Sequence, residues 1–481
     1  MISQDLMAPI MFGGLIVFLL IGYPAAFSLG AVGLFFSFIG IEMGMFQPTF
    51  LQALPDRVFG ILSNDLLLSI PFFTFMGAIL EKCGLAEDML EGLGQLFGPI
   101  RGGLAYAVII VGAILGAITG TVAASVIAMG LISLPIMLRY GYNPRVATGV
   151  IAASGTITQL IPPSLVLIVL ADQLGKSVGD MYAGAIGPSI IQIILFCLFI
   201  FFLSIFRPQD VPALPPEARP KIDWKLFKKI LWGIVPSIAL IFLVLGTILM
   251  GLATPTEGGA MGSVGALVLA AMNKRLQKTL VWDAMTSTMR INAMVIFILI
   301  GSTVFGLAFR GVDGDLWIEH LLSGLPGGQV GFLIVVNLFV FFLAFFLDYF
   351  EIAFIIIPLL APVAQKLGID LIWFGVLLGA NMQTSFMHPP FGFALFYLRG
   401  VAPKSVKSSD IYYGALPWVG LQLILVAIII FVPETVTYFI DKPAIAVDAN
   451  AISVDPLAGV EQNEITVDSS SEIERQLREN K

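Results

Sequence analysis

Oxygen-bearing side chains gather at four places in a chain that is otherwise poor in polar residues. Thr119-Gly120-Thr121 has Ser125 one turn on, and a helix is expected to break at Ser154-Gly155-Thr156-Ile157-Thr158-Gln159 before Pro162-Pro163-Ser164. Asp348-Tyr349-Phe350-Glu351 and Asn381-Met382-Gln383-Thr384-Ser385, the latter followed by Pro389-Pro390, make a second pair. Hydroxyls, amides and the carbonyls freed when proline removes an N–H are hard ligands of the kind a sodium ion takes. Beyond each double proline a new helix would start, and its free N–H groups and positive dipole end suit a carboxylate. Two sodium sites are expected on these grounds. One uses Thr119, Gly120, Thr121, Ser125, Ser154, Gly155, Thr156 and Thr158, and the other Asp348, Glu351, Asn381, Gln383, Thr384 and Ser385. An anionic ligand is expected beside Pro162, Pro163, Ser164, Pro389 and Pro390.

The elements that must position these residues are membrane helices. Of 481 residues 58% are hydrophobic and only 12% charged, and the mean hydropathy is +0.96, too apolar for a soluble surface. Runs such as 190–206, 230–252 and 330–347 approach or exceed the ~20 residues that cross a bilayer as a helix. In lipid each backbone group must be satisfied internally, so the fold class is all-α and polytopic. About ten crossings are expected, near 8–21, 24–41, 66–82, 144–172, 183–206, 229–251, 256–272, 289–309, 371–398 and 412–434. The mixed-polarity segments 43–65 and 84–101 suit helices lying along the interface. The first apolar run lacks a basic lead and a cleavage site, so it reads as a retained anchor.

One segment is written twice. Pro135, Gly141, Pro162 and Pro163 recur as Pro362, Gly368, Pro389 and Pro390 at a constant offset of 227. Basic residues in 207–229 and 273–278, with Arg139, Arg145, Lys404 and Lys407, mark the cytoplasmic side by the positive-inside bias, and both termini then fall outside. Segment 103–138 begins and ends on the cytoplasmic side, with Gly120 near its middle, and reads as a re-entrant hairpin. Segment 329–366 is its counterpart, entered from the opposite face. Inverted repeats with broken helices point to the binding site of a secondary transporter. The chain divides accordingly. Residues 1–102 form a first scaffold part. Residues 103–182 hold hairpin 103–138 and broken helix 144–172, and 183–328 hold scaffold helices and the start of the second repeat. Residues 329–400 hold hairpin 329–366 and broken helix 371–398, 401–435 the last membrane helix, and 436–481 an acidic tail that is expected to be disordered.

The chain resembles the large membrane subunit of the tripartite ATP-independent periplasmic (TRAP) transporters from about Pro9 to Pro433. The resemblance rests on Ile70-Pro71-Phe72-Phe73 with Met76-Gly77, the block Ala117 to Ser125, Leu160-Ile161-Pro162-Pro163-Ser164, Thr254-Pro255-Thr256-Glu257 and the block from Leu347-Asp348 to Pro390. It implies a sodium-driven, elevator-type importer of an organic acid in the bacterial inner membrane, working with a small four-helix membrane subunit and a periplasmic substrate-binding protein. Phe345 to Phe354 looks like a subgroup labelled for mannitol or chloroaromatic uptake, some of which handle 2-oxo acids. Sodium would be the coupling ion, with membrane lipid as surroundings, no other cofactor and no nucleic acid.

Plainer readings stand beside these. Asp348-x-x-Glu351 and Thr254-x-x-Glu257 both have capping-box spacing, and membrane hydroxyls often bond only backbone carbonyls. The small residues of 149–155 fit close helix packing, and His388 fits a packed polar residue. A channel would need no paired hairpins. An enzyme would need a nucleophile or metal set, which two distant cysteines and two histidines do not provide. No phosphate loop of Walker type occurs. Among carriers, a self-sufficient sodium-coupled dicarboxylate transporter of related hairpin architecture is the alternative.

Overall fold

The computed structural model describes residues 4–218, 224–389 and 392–440. Pro390 and the tail from Asp441 lie outside the described residues. All regular structure among the described residues is helical. The chain opens with α1 (Gln4–Ile21) and α2 (Ala25–Glu42), then α3 (Leu54–Leu62), α4 (Asp65–Glu81) and α5 (Leu85–Leu96). α6 (Gly103–Thr119) and α7 (Val122–Arg139) follow, then α8 (Pro144–Thr156), α9 (Leu165–Leu174) and α10 (Val178–Phe206). α11 (Trp224–Ile241) passes through a π turn into the short α12 (Thr247–Leu249). α13 (Pro255–Met272), α14 (Lys278–Gly311) and α15 (Gly314–Ser323) complete the middle of the chain. α16 (Gly328–Leu343), α17 (Tyr349–Ile355) and α18 (Ile357–Lys366) precede α19 (Leu371–Met382), α20 (Phe393–Val401), α21 (Ser408–Phe431) and α22 (Glu434–Thr437).

The ten expected crossings fall on α1, α2, α4, the α8/α9 pair, α10, α11 with α12, α13, α14, the α19/α20 pair and α21. The short amphipathic α3 and α5 carry the charges expected of interfacial helices. α15 lies between the expected crossing 289–309 and the expected hairpin 329–366. It forms because Leu316, Ile318, Leu321 and Leu322 recur at helical spacing between Asp313, with φ 59°, and Gly324.

Both hairpins are present. Gly120, with φ 62°, ends α6 in the left-handed conformation and lets α7 turn back at once. The second hairpin leaves α16 at Leu343 and resumes at Tyr349, and its return arm bends by 52° between α17 and α18. Pro358 causes that bend, because it has no N–H for the Phe354 carbonyl four residues back. Ser302 Oγ of α14 donates to that carbonyl instead.

The breaks lie later than the sequence suggested. Ser154, Gly155 and Thr156 remain helical, 157–159 tighten to 3-10 geometry, and the chain opens only at 160–164. The second break repeats this. Asn381 and Met382 are helical, 383–387 are 3-10, and the described residues 388, 389 and 392 are no longer helical. Proline removes the bond to the carbonyl four residues earlier, so the helix weakens by one turn and not two. Gly155 is no breaker: a Cβ there would lie 2.2 Å from Val126 Cγ2, so the glycine lets hairpin and helix touch.

The buried apolar side chains form two clusters. One gathers α6, α7 and α8 with α20 and the first half of α21. The other gathers α9, hairpin 2, α19, α4, α13 and α14. Each broken helix therefore gives one half to each layer, and its break sits at the boundary. Ion pairs Lys82–Asp283, Arg275–Glu87 and Arg145–Asp410 lie at the basic end, and Lys366–Glu319 lies at the other.

Candidate functional site

The tip of hairpin 1 and the first break meet. Gly120 lies beside the Pro163 carbonyl and Leu165, and hairpin and helix approach closely where Gly112 faces Ser154 and Gly116 faces Thr158. From outside the hairpin, Gly77 of α4 comes so near that a Cβ there would lie 2.1 Å from the Thr119 carbonyl oxygen. Thr119 and Ser125 hydroxyls are 3.1 Å apart and buried. Ser154, Thr156 and Thr158 each donate to a carbonyl three residues back, at 2.9 Å. A hydroxyl that donates keeps two acceptor lone pairs, so these bonds leave oxygens able to ligate a cation. Thr121 is extended, half-buried, and does not cap α7.

The second set comes together in part: Asp348, Glu351 and Ser385 line one cavity, which Asn381, Gln383 and Thr384 do not line. Asn381 Nδ2 donates to the carbonyl of Asn337 at 2.7 Å and to its side-chain oxygen at 3.0 Å, tying the break to hairpin 2. Asn381 Oδ1 is buried without a hydrogen-bond partner among the described residues. Asp348 and Glu351 form the capping box. Asp348 Oδ1 accepts from the Glu351 N–H at 2.7 Å, and Glu351 Oε2 accepts from the Asp348 N–H at 2.9 Å. Thr254 and Glu257 make the same box at the start of α13. Thr384 donates to the Asn381 carbonyl. A cavity of about 300 Å³ is lined by Asp348, Glu351, Ser385, Phe393 and Phe396, with Leu19 and Leu20 of α1 on its far wall.

The helix starts beyond the breaks differ. At the first, Ser164 donates to the Gln159 carbonyl at 2.6 Å and accepts from the Val166 N–H at 3.2 Å, so that end is capped by its own chain. At the second, Gly392 supplies no side-chain cap, and α20 begins at the cavity wall with Phe393. Tyr349 Oη of hairpin 2 donates to the Leu165 carbonyl at 3.2 Å, joining the half-sites. His388 is buried, with its ring 4.1 Å from Phe345 and 4.5 Å from Phe341 between centroids. The Ala344 carbonyl lies beside it, at a geometry that makes no hydrogen bond.

Three buried amides were missed from the sequence. Gln192 of α10 pairs reciprocally with Gln383 of the second break, at 2.8 and 3.3 Å. Gln422 of α21 donates to Thr156 of the first break at 2.9 Å. Thr156 and Gln383 occupy equivalent positions in the two repeats at the offset of 227, so each repeat's trailing helix braces the other repeat's break. Asn337 is the third. Each interrupts an apolar run, and that interruption was the available signal. Gln422 Oε1 is buried and unpartnered among the described residues, which costs stability. Gln422→Leu is therefore expected to leave thermal stability unchanged or raised while lowering uptake, as read by a melting curve beside a transport assay.

The sequence profile described as "Tripartite ATP-independent periplasmic transporter, DctM component" matches residues 12–435. A C4-dicarboxylate TRAP transporter large permease protein from Rhodobacter capsulatus is 29% identical over 89% of this chain and 97% of its own length. Its counterpart from Vibrio cholerae is 28% identical over 87% and 94%. An isethionate TRAP transporter permease protein from Oleidesulfovibrio alaskensis is 26% identical over 90% of this chain and 66% of that longer one. Among solved structures, the Alcanivorax borkumensis YdaH transporter superposes with a TM-score of 0.56 at 15% identity, covering 79% of this chain and 86% of the other. The chain belongs to the DctM family of tripartite ATP-independent periplasmic transporters as a large permease.

Proposed function

We propose that this permease drives sodium-coupled import of an organic acid across the bacterial inner membrane by an elevator motion. The observation that carries this reading is the asymmetry of the two breaks. The first is closed by its Ser164 cap and lined by buried hydroxyls, as an ion site is; the second opens its uncapped α20 start onto a 300 Å³ cavity. A substrate carboxylate at that start gains the helix dipole and N–H groups. A sodium ion shared by the Asn381 oxygen, Ser385 and the carboxylates of Asp348 and Glu351 offsets the repulsion these would exert on the substrate. The two hairpins and broken helices move as one body. Substrate arrives on a periplasmic binding protein, and a small four-helix membrane subunit steadies the scaffold. The family's tripartite description supports that assembly over a self-sufficient carrier. The isethionate and C4-dicarboxylate relatives support an organic acid as cargo.

Thr121→Ala and Asn381→Ala are expected to lower sodium-dependent uptake in reconstituted vesicles, with little change in folding. Each removes one oxygen from a different ion site. A sodium dependence identical to that of the parent in both variants would remove the ion-site assignment.

A further inference from the structure

A second cavity, about 530 Å³, lies elsewhere, at the end opposite the basic loops. One wall is α3 and the last turns of α14, which supply Arg57, Ser302, Thr303 and Arg310. The other is the end of α9 and the return arm of hairpin 2. Both cations are exposed to the cavity, and among the described residues neither makes an ion pair or a side-chain hydrogen bond. Three carboxylates share the lining, and among the described residues none pairs with either arginine. Asp172 accepts from Asn64 Nδ2 at 2.7 Å and from Gln173 Nε2 at 2.9 Å. Glu319 pairs with Lys366, and Asp315 stands in the first turn of α15, where the helix dipole favours it. Arg310 is the charge that acts on Arg57. Two like charges facing one space repel each other, and an anion between them relieves that repulsion. Guanidinium groups also offer the planar donor fork that a carboxylate fits.

We propose that Arg57 and Arg310 form a carboxylate-capture site in the outer vestibule, which holds the incoming acid before it reaches the deep cavity beside Ser385. The site rests on the reading of the chain as an organic-acid importer. It stands on α3 and α14, so it stays behind when hairpin 2 moves. A carboxylate held between the two guanidiniums gains from both charges, and a local excess of one sign raises the concentration of the opposite ion.

The test is thiol modification of Thr303→Cys in a Cys83→Ala/Cys197→Ala background, in spheroplasts carrying the whole complex. An anionic and a cationic methanethiosulfonate reagent are compared, each normalised to its rate with a free thiol. The anionic reagent should react on the order of tenfold faster, and the ratio should fall towards one in Arg57→Gln/Arg310→Gln. It should return in Arg57→Lys/Arg310→Lys, which separates charge from misfolding. Pyruvate or succinate should slow modification where chloride of equal ionic strength does not. A ratio near one in the Thr303→Cys parent, or a high ratio with no carboxylate protection, overturns the proposal. The assay uses neither a sodium gradient nor turnover, so loss of sodium coupling in transport would leave its result standing.

Discussion

Gly77→Val is expected to abolish uptake while the protein still reaches the membrane. The position admits no side chain, because even a Cβ would lie 2.1 Å from the Thr119 carbonyl oxygen. That atom is backbone at the tip of hairpin 1, so it can yield only by moving the tip. Overpacking of this kind costs ~1–3 kcal/mol, which a helical membrane protein of this size can survive. The functional cost is larger. Displacing Thr119 and Gly120 by ~1 Å moves them from the first break, and misplacement on that scale costs on the order of 10²-fold where geometry is binding. The check is uptake beside expression and thermal stability. A variant with parental uptake would show that the tip position is not critical.

The second large effect separates the two roles open to Asp348. Serine caps a helix about as well as aspartate, whereas alanine loses about 1 kcal/mol at that position. Asp348→Ser therefore preserves the start of α17, and Glu351 can still accept from the residue-348 N–H. It removes only the charge. If the carboxylate serves an ion beside the Ser385 cavity, Asp348→Ser matches the parent in melting temperature and loses sodium-dependent uptake, while Asp348→Ala loses both. If Asp348 is a cap alone, the serine variant transports normally. The outcome is read from paired melting curves and uptake over a range of sodium concentrations.

Much of the architecture was legible because membrane helices announce themselves in apolar runs, and because the offset of 227 ties Pro162-Pro163 to Pro389-Pro390. Gly120 marked one hairpin tip by its type, and it takes the left-handed conformation that glycine favours. The depth of each break was less legible. Gly155 looked like a weak point, yet it is helical, and its purpose lies in Val126, a neighbour distant in sequence. The same limit hid Gln192, Asn337 and Gln422. Their partners lie 191, 44 and 266 residues away, and an amide in an apolar run does not say which helix it will meet. Asp348 illustrates a third case. Its spacing to Glu351 fitted capping and ion binding equally, and the fold displays the cap without excluding the ion.

The central claim is sodium-coupled uptake through a three-part system. Its most direct test is uptake of radiolabelled organic acids by vesicles holding this permease and its small partner, with the binding protein added outside. The account predicts accumulation that requires both an inward sodium gradient and the binding protein, and that collapses when sodium is equal on the two sides. Accumulation that is unchanged when potassium replaces sodium, with the binding protein present, would contradict it.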